Sequence, residues 1–227
     1  MNKLSIVVPV YNEKDLVLDV LKKVKEIKID GKDVEVIVVD DCSTDGTREI
    51  LKEHGLEYAD KVLYHDVNQG KGAALKTGFS EITGDVAIVQ DADFEYDPME
   101  IPSVVEPIFA GEADVCYGSR FLNSEYKGYK ANQMANKVLT DLSNFMTGLK
   151  VTDMETCYKA FKADFIKNID IKEKRFGFEP EITAKMSKSN LIYTEVPISY
   201  YPRSKEEGKK IKLKDGFRAL YCIAKYR

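Results

Sequence analysis

The stretch of sequence that decides the fold is VAIVQDADFE, residues 86–95. Its apolar first half predicts a buried strand, and Asp91, Asp93 and Glu95 follow that strand directly. Because alternate residues of an extended segment point to the same side, the three carboxylates would face one way. Such oxygen ligands suit Mg²⁺ or Mn²⁺, so the segment predicts a divalent metal site that would bridge a diphosphate. A solvated acidic turn is the alternative interpretation.

The pattern of an apolar strand followed by polar residues also occurs on either side of this segment. Short β-branched runs alternate with amphipathic stretches, which predicts a parallel sheet covered by helices, with ligands bound beyond the carboxyl ends of the strands. The predicted strands of the first half are Leu4 to Val10, Val34 to Val39, Lys61 to His65, Val86 to Gln90 and Asp114 to Gly118. The predicted helices between them are Asp15 to Ile27, one ending at His54, and one from the turn Gly70-Lys71-Gly72 to about Ile82.

The second half is less regular. Helices are predicted over Ala131 to Gly148, Phe178 to Ser187 and Asp215 to Tyr226, and strands over Tyr158 to Phe161 and Ile192 to Tyr200. No repeat, low-complexity tract or linker divides the chain, so one domain over residues 1–227 is expected. The first of these helices is predicted to carry one apolar side made of Met134, Val138, Leu139, Leu142, Phe145 and Met146.

The composition of the chain excludes several protein classes. Its 227 residues are 44% apolar and carry a net charge of −4, which rules against a disordered or fibrous chain. No apolar run is long enough for a membrane span and no signal peptide is visible, so a cytoplasmic protein is expected, with no nucleic acid among its partners. The four cysteines lie too far apart for a zinc or disulfide framework and are expected to be free thiols: Cys42, Cys116, Cys157 and Cys222.

Other predicted strands also end in polar residues. Asp41 would bind a ribose or a base edge, or would cap the following helix. Tyr11 would lie against a base, with Glu13 holding a polar edge. The Gly70–Gly72 turn fits neither a Walker A loop nor a dinucleotide loop, but Lys71 would reach a phosphate from a helix N-terminus; a simple tight turn is the alternative.

These motifs, in this order, resemble the family 2 glycosyltransferases with a GT-A fold, and most closely the dolichyl-phosphate or polyprenyl-phosphate branch. The matching segments are 6–13, 38–47, 68–72, 91–93 and 118–120. The resemblance implies an α/β fold with a Rossmann-like, mostly parallel central sheet flanked by helices. It also implies a nucleotide-sugar half at about residues 1–120 and an acceptor half at about 121–227.

The resemblance also implies roles for individual residues. Pro9, Tyr11, Glu13, Val39 and Asp41 match nucleotide contacts; Asp91, Ala92 and Asp93 match the metal and diphosphate motif; and Arg120, Arg203 and Lys209 match phosphate contacts. Two features depart from the family pattern. Glu95, our third predicted metal ligand, stands where the lipid-phosphate enzymes often carry an amide or Ser, and the loop over 203–210 differs from theirs.

The implied reaction is an inverting, metal-dependent transfer of a sugar from a nucleotide-diphosphate sugar, with Asp93, Arg203 and Lys209 as catalytic residues. A polyprenyl-phosphate acceptor would need no general base. A glycan hydroxyl acceptor would need Asp153 or Glu155 as the base, although either could instead cap a turn or pair with Lys159. A sugar nucleotidyltransferase and a catalytically silent nucleotide-binding module are the alternatives from other classes.

The last 25 residues, 203–227, are basic, with nine Lys or Arg against three Asp or Glu. Phe217, Leu220, Tyr221 and Ile223 would form the apolar side of the terminal helix. Such a segment predicts peripheral contact with the cytoplasmic face of an anionic membrane, where a lipid phosphate would be met. A helix packed on the domain with a solvated basic face is the alternative.

Overall fold

The structure, a computed structural model, describes residues 1–122, 129–204 and 213–227. One sheet runs through it in the order β3-β2-β1-β4-β6-β5-β7. All neighbouring strands are parallel except that β6 runs antiparallel to β4 and β5. The strands are β1 (Lys3–Val10), β2 (Asp33–Asp40), β3 (Lys61–Tyr64), β4 (Val86–Val89), β5 (Val115–Ser119), β6 (Lys159–Lys162) and β7 (Tyr193–Pro197).

Helices cover both faces of the sheet, which confirms the predicted α/β class. Strand residues alternate between the two resulting cores, so Val8 packs with α1 and α4 whereas Val7 packs with α3 and α7. The helices are α1 (Val17–Lys25), α2 (Thr47–Tyr58), α3 (Lys71–Ser80), α4 (Ile101–Phe109), α5 (Lys130–Thr147), α6 (Ala163–Asn168), α7 (Phe178–Ser187) and α8 (Leu213–Tyr226). Among the described residues, none of these helices is long and apolar enough to span a membrane.

Helix α5 does not bury the whole side that the sequence predicted. Met134, Val138 and Phe145 are 64%, 55% and 84% exposed, and only the remaining three apolar residues pack on the core. The reason is that a backbone N–H in the loop before β6 needs a hydrogen-bond acceptor, which α5 supplies. Thr140 accepts the Met154 N–H and is buried in α5, so the helix turns its polar Thr140 side inward.

Two helices are absent from the sequence prediction. α4 carries Pro102 and Pro107, which obscured its helical pattern, although a proline in the first turn is well tolerated. α6 has only six residues, too few for a visible periodicity. The predicted terminal helix is confirmed, but Ile223 is buried in the core and therefore does not belong to its exposed apolar side.

Candidate functional site

A cavity of about 770 Å³ opens at the carboxyl ends of β1, β2 and β4. Parallel strands bring their polar ends to one edge of the sheet, so residues far apart in sequence meet there. The cavity then continues to α5 and α8 through Asn132, Asn136 and Gly216. The predicted site residues that line it are Pro9, Tyr11, Glu13, Asp41, Lys71, Asp91, Ala92, Asp93, Glu95, Arg120, Glu155 and Arg203.

Three predicted site residues are not among those that line the cavity. Val39 is buried inside β2. Asp153 is fully buried beside Arg120. Lys209 lies outside the residues that the structure describes.

The loops after β1 and β2 are joined to each other at the nucleotide end of the cavity. The Asn12 N–H donates to Ser43 Oγ at 2.9 Å, and the Thr44 N–H donates to Asn12 Oδ1 at 2.8 Å. Asn12 and Cys42 both adopt positive φ, at 52° and 62°. Non-glycine residues rarely adopt this conformation, and where they do the site is often functional. These hydrogen bonds join residues 31 and 32 positions apart, so no local sequence pattern reveals them.

Asp41 shapes the next turn of the cavity wall. Its carboxylate accepts the N–H of Gln69 at 2.9 Å and of Gly70 at 2.6 Å, and it lies 2.7 Å from His65 Nδ1. Gly70 has φ of 100°, and the backbone oxygen of Lys174 lies 2.4 Å from where a Cβ would stand. The turn therefore needs glycine because the chain before α7 packs directly against it.

Lys71 begins α3 and points into a group of buried side chains. Its Nζ lies 2.8 Å from Asp91 Oδ1, 3.4 Å from Glu179 Oε1 and 3.0 Å from Cys157 Sγ. Burial alone would lower the pKa of Lys71, but the two carboxylates raise it well above its ordinary value. Lys71 is thus a fixed positive charge beside the predicted metal motif.

Arg203 closes over the second aspartate of that motif. It donates to Asp93 at 2.6 Å and to both oxygens of Glu13, at 2.9 and 3.0 Å. Burial, with the charges of Asp91 and Glu95, raises the pKa of Asp93 to about 7 despite Arg203. The structure therefore places Arg203 against Asp93 although they are 110 residues apart in sequence.

A divalent ion fits part of the predicted ligand set. Asp91 and Asp93 supply carboxylate oxygens, and the excess negative charge at Asp93 is what a cation would relieve. Glu95 is engaged elsewhere, since it accepts the Arg203 N–H at 2.8 Å and the Tyr200 hydroxyl at 3.3 Å. Within the described parts of the chain, no three acidic, histidine or cysteine side chains form a ready metal site. Metal binding by Glu95 stays a prediction.

Arg120 and Asp153 form a buried pair behind the cavity. Asp153 accepts the Arg120 N–H at 3.0 Å and two guanidinium hydrogen bonds at 2.7 Å each. The guanidinium of Arg120 also lies 5.1 Å from the ring centre of Tyr200. Of the two candidate bases, then, Asp153 fixes Arg120 and only Glu155 faces the cavity.

Glu179 also lines the cavity, from the first turn of α7. In the sequence it is one of two glutamates, with Glu181, in the first turn of the predicted helix. The stronger signal, its contact with Lys71, joins residues 108 positions apart and is not visible in sequence alone.

Comparison with known proteins shows which family this chain resembles. The family described as glycosyl transferase family 2 matches residues 5–170. Dolichol-phosphate mannosyltransferase of Pyrococcus furiosus is 28% identical over 91% of this chain and 59% of that protein. Undecaprenyl-phosphate 4-deoxy-4-formamido-L-arabinose transferase of Edwardsiella ictaluri is 29% identical over 90% of this chain and 62% of that protein. The chain thus spans about three-fifths of these two relatives.

Solved structures show the same fold. Glucosyl-3-phosphoglycerate synthase from Mycobacterium tuberculosis, in complex with Mn²⁺, UDP and glucosyl-3-phosphoglycerate, superposes with a TM-score of 0.73 at 19% identity. The match covers 99% of this chain and 80% of that one. Its complex with Mg²⁺ and UDP gives a TM-score of 0.74 at 17% identity over 99% and 79% of the two chains. These likenesses confirm the predicted GT-A fold.

Proposed function

The chain belongs to glycosyl transferase family 2, and on that premise we propose that it moves a sugar from a nucleotide-diphosphate sugar to a polyprenyl-phosphate acceptor, with inversion. One observation carries the proposal: Asp91, Asp93 and Arg203 meet in a cavity that Tyr11 and Glu13 also line. Aromatic and acidic groups suit a nucleoside, and the cationic and carboxylate groups suit a metal-bound diphosphate.

The residues around Asp93 would stabilise the leaving diphosphate. A divalent ion held by Asp91 and Asp93 would neutralise the negative charge that develops on it. The Arg203 Nε is buried and has no hydrogen-bond partner among the described residues, so it has a donor left for a phosphate oxygen. Lys71 adds a second positive charge beside Asp91. Lys209 remains a proposed contact of the same diphosphate.

The state of the two candidate bases favours a phosphate acceptor. Asp153 is committed to Arg120. Burial and the charge of Glu179 raise the pKa of Glu155 to about 8, so near pH 7 only a minor fraction of it is the carboxylate that could accept a proton. A phosphate monoester is already ionised and attacks without a base. The names of the two relatives, a dolichol-phosphate and an undecaprenyl-phosphate transferase, support the same acceptor class.

The acceptor end of the cavity would meet a membrane. The cavity is lined here by Tyr129, by Leu139 of α5 and by Ala219 of α8. α5 and α8 also carry the exposed apolar residues Met134, Val138, Phe145, Phe217, Leu220 and Tyr221. An apolar surface beside the basic terminal segment suits an anionic bilayer. Phe217→Ser should lower sedimentation with anionic liposomes, whereas Leu56→Ser, on exposed α2, should not. Equal sedimentation of the three proteins would contradict membrane contact through α8.

The transfer proposal is tested with undecaprenyl phosphate and a panel of UDP-, GDP- and CDP-sugars in the presence of Mn²⁺. We expect sugar transfer to the lipid from one donor, detected by mass spectrometry and lost when the metal is chelated. Nuclear magnetic resonance of the same mixtures reports slow donor hydrolysis. Absence of both transfer and hydrolysis would indicate a silent nucleotide-binding module instead, and transfer to a glycan hydroxyl alone would contradict the lipid acceptor.

A further inference from the structure

Two glutamates line the same cavity as Asp91 and lie close enough for their charges to interact. Glu155 lies in the loop before β6, and Glu179 lies in the first turn of α7 and is 4% exposed. Glu155 Oε1 and Glu179 Oε2 are both buried and have no hydrogen-bond partner among the residues the structure describes. Buried carboxyl oxygens without partners are costly to a protein, so this pair calls for a ligand that donates hydrogen bonds.

The topology fixes where this pair lies along the cavity. β6 runs antiparallel to β4, so the loop before β6 lies at the same edge of the sheet as the carboxyl ends of β1, β2 and β4. In the sheet order β2-β1-β4-β6, Glu155 is on the far side of β4 from the nucleotide loops. Lys71 joins the pair to the diphosphate motif, since its Nζ contacts both Asp91 and Glu179. The pair thus lies next to the residues of the diphosphate motif.

The charges around the pair suit a neutral polyhydroxyl group. The groups that face Glu155 are Glu179 and Asp153, which repel its negative charge, and Lys159 and Arg120, which attract it. A carboxyl oxygen accepts a hydrogen bond, and burial beside Glu179 favours the protonated form of Glu155, which also donates one. A sugar hydroxyl also donates and accepts, and it matches both.

We propose that Glu155 and Glu179 form the subsite for the transferred sugar and bind hydroxyl groups of a neutral hexose. This inference rests on the proposed glycosyltransferase function and adds the class of sugar. An anionic sugar such as a hexuronate would bring its carboxylate against the pair and be rejected. A simple cation is disfavoured because Lys71 and Lys159 already place positive charge beside the glutamates.

The test compares nucleotides with and without their sugar. Titration calorimetry with Mn²⁺ would give the affinities of UDP, UDP-glucose, GDP and GDP-mannose for the wild type, Glu155→Gln and Glu179→Gln. We expect each substitution to weaken binding of the nucleotide sugar about 10-fold or more, because a hydrogen bond to a sugar hydroxyl is lost, and to leave the nucleoside diphosphate within about 3-fold. The matched control is Glu181→Gln, on the same helix, whose carboxylate instead accepts the N–H groups of Lys172 and Glu173.

A second measurement compares the nucleotide sugar with its deoxy analogues. Wild-type protein should bind at least one deoxy analogue of its nucleotide sugar about 10-fold more weakly than the parent, and Glu179→Gln should not distinguish that analogue from the parent. The subsite is refuted if both variants bind nucleotide sugars as the wild type does, or if no hydroxyl of the sugar affects binding. If the wild type binds none of the four nucleotides, the proposed function is refuted, and the proposed subsite is refuted with it.

Discussion

The two ends of the sheet both bury carboxylates, but they treat them in opposite ways. At the amino end, Glu35 accepts hydrogen bonds from the Ser5 hydroxyl, the Thr83 hydroxyl and N–H, and the Gly84 N–H, and pairs with Lys3 at 2.7 Å. Burial alone would raise the pKa of Glu35, but these donors lower it to about 2. The protein itself satisfies this group completely.

At the carboxyl end, two of the carboxylates, Asp93 and Glu155, have too few hydrogen-bond donors around them. Burial raises the pKa of Asp93 to about 7 and of Glu155 to about 8, in each case with the help of a neighbouring carboxylate. Asp93 and Glu155 lie deeper than Glu35, receive fewer hydrogen bonds and have carboxylates as neighbours, and these differences account for the opposite shifts. A carboxylate that the protein satisfies contributes stability, and one that it leaves unsatisfied marks a place for a ligand.

The largest effect is expected from a substitution at the carboxyl end of the sheet. Asp93→Asn should lower sugar transfer about 10³-fold, because it removes a carboxylate that would hold the metal against the leaving diphosphate. Glu35→Gln is the control and should retain wild-type turnover per folded molecule. Turnover of Asp93→Asn within 10-fold of the wild type would contradict a catalytic role for that carboxylate.

A second substitution tests how tightly the carboxyl end is built. At Gly72 an added Cβ would lie 2.1 Å from the backbone oxygen of Glu173, so Gly72→Ala must displace the chain before α7. We expect a loss of about 3 kcal/mol in the free energy of unfolding. Gly111→Ala, at φ of 77° with open space around it, should cost about 1 kcal/mol from backbone strain alone. Urea denaturation checks both, and equal losses would refute the close contact.

At the amino end of the sheet, Glu35→Gln removes the satisfied carboxylate. The neutral amide loses the ion pair with Lys3 and some of the hydrogen bonds, so the free energy of unfolding should fall by about 2 kcal/mol. Thermal and urea unfolding at pH 7 measure this loss, with Glu112→Gln on the surface as the control. A change below about 0.5 kcal/mol would mean that the donors around Glu35 add little stability.

The pH dependence of stability should have opposite signs at the two ends. Glu35 has a folded-state pKa of about 2, below its ordinary 4.5, so its stabilising effect is lost as the pH falls from about 4.5 towards 2. Glu155 has a folded-state pKa of about 8, so its unfolded form releases a proton first and stability falls as the pH rises from about 4.5 to 8.

The two variants separate these contributions. In urea denaturation without ligand, the advantage of the wild type over Glu35→Gln should shrink by about 1 kcal/mol between pH 5 and pH 3. Glu155→Gln should gain about 3 kcal/mol relative to the wild type between pH 5 and pH 8. Parallel pH profiles for the wild type and both variants would show that neither carboxyl group has the shifted pKa.

The sequence predicted the parts of this comparison that depend on local pattern. β-branched runs ending in polar residues predicted the strands and the cavity edge, since both follow from short-range periodicity. What it did not resolve depends on distant partners. Asp153 and Glu155 look equivalent in sequence, and only the pairing of Asp153 with Arg120, 33 residues away, separates their roles. The polar side that α5 buries was likewise set by a hydrogen bond to Met154.

The most direct test of the account is calorimetric titration of UDP and GDP, each with and without Mn²⁺, into the wild type, Asp93→Asn and Glu35→Gln. The account predicts that the wild type and Glu35→Gln bind one nucleotide at least 10-fold more tightly with Mn²⁺, and that Asp93→Asn loses this metal dependence. Binding of neither nucleotide, or metal-dependent binding that Asp93→Asn retains in full, would contradict the claim that the carboxyl end of the sheet is completed by a metal-bound nucleotide.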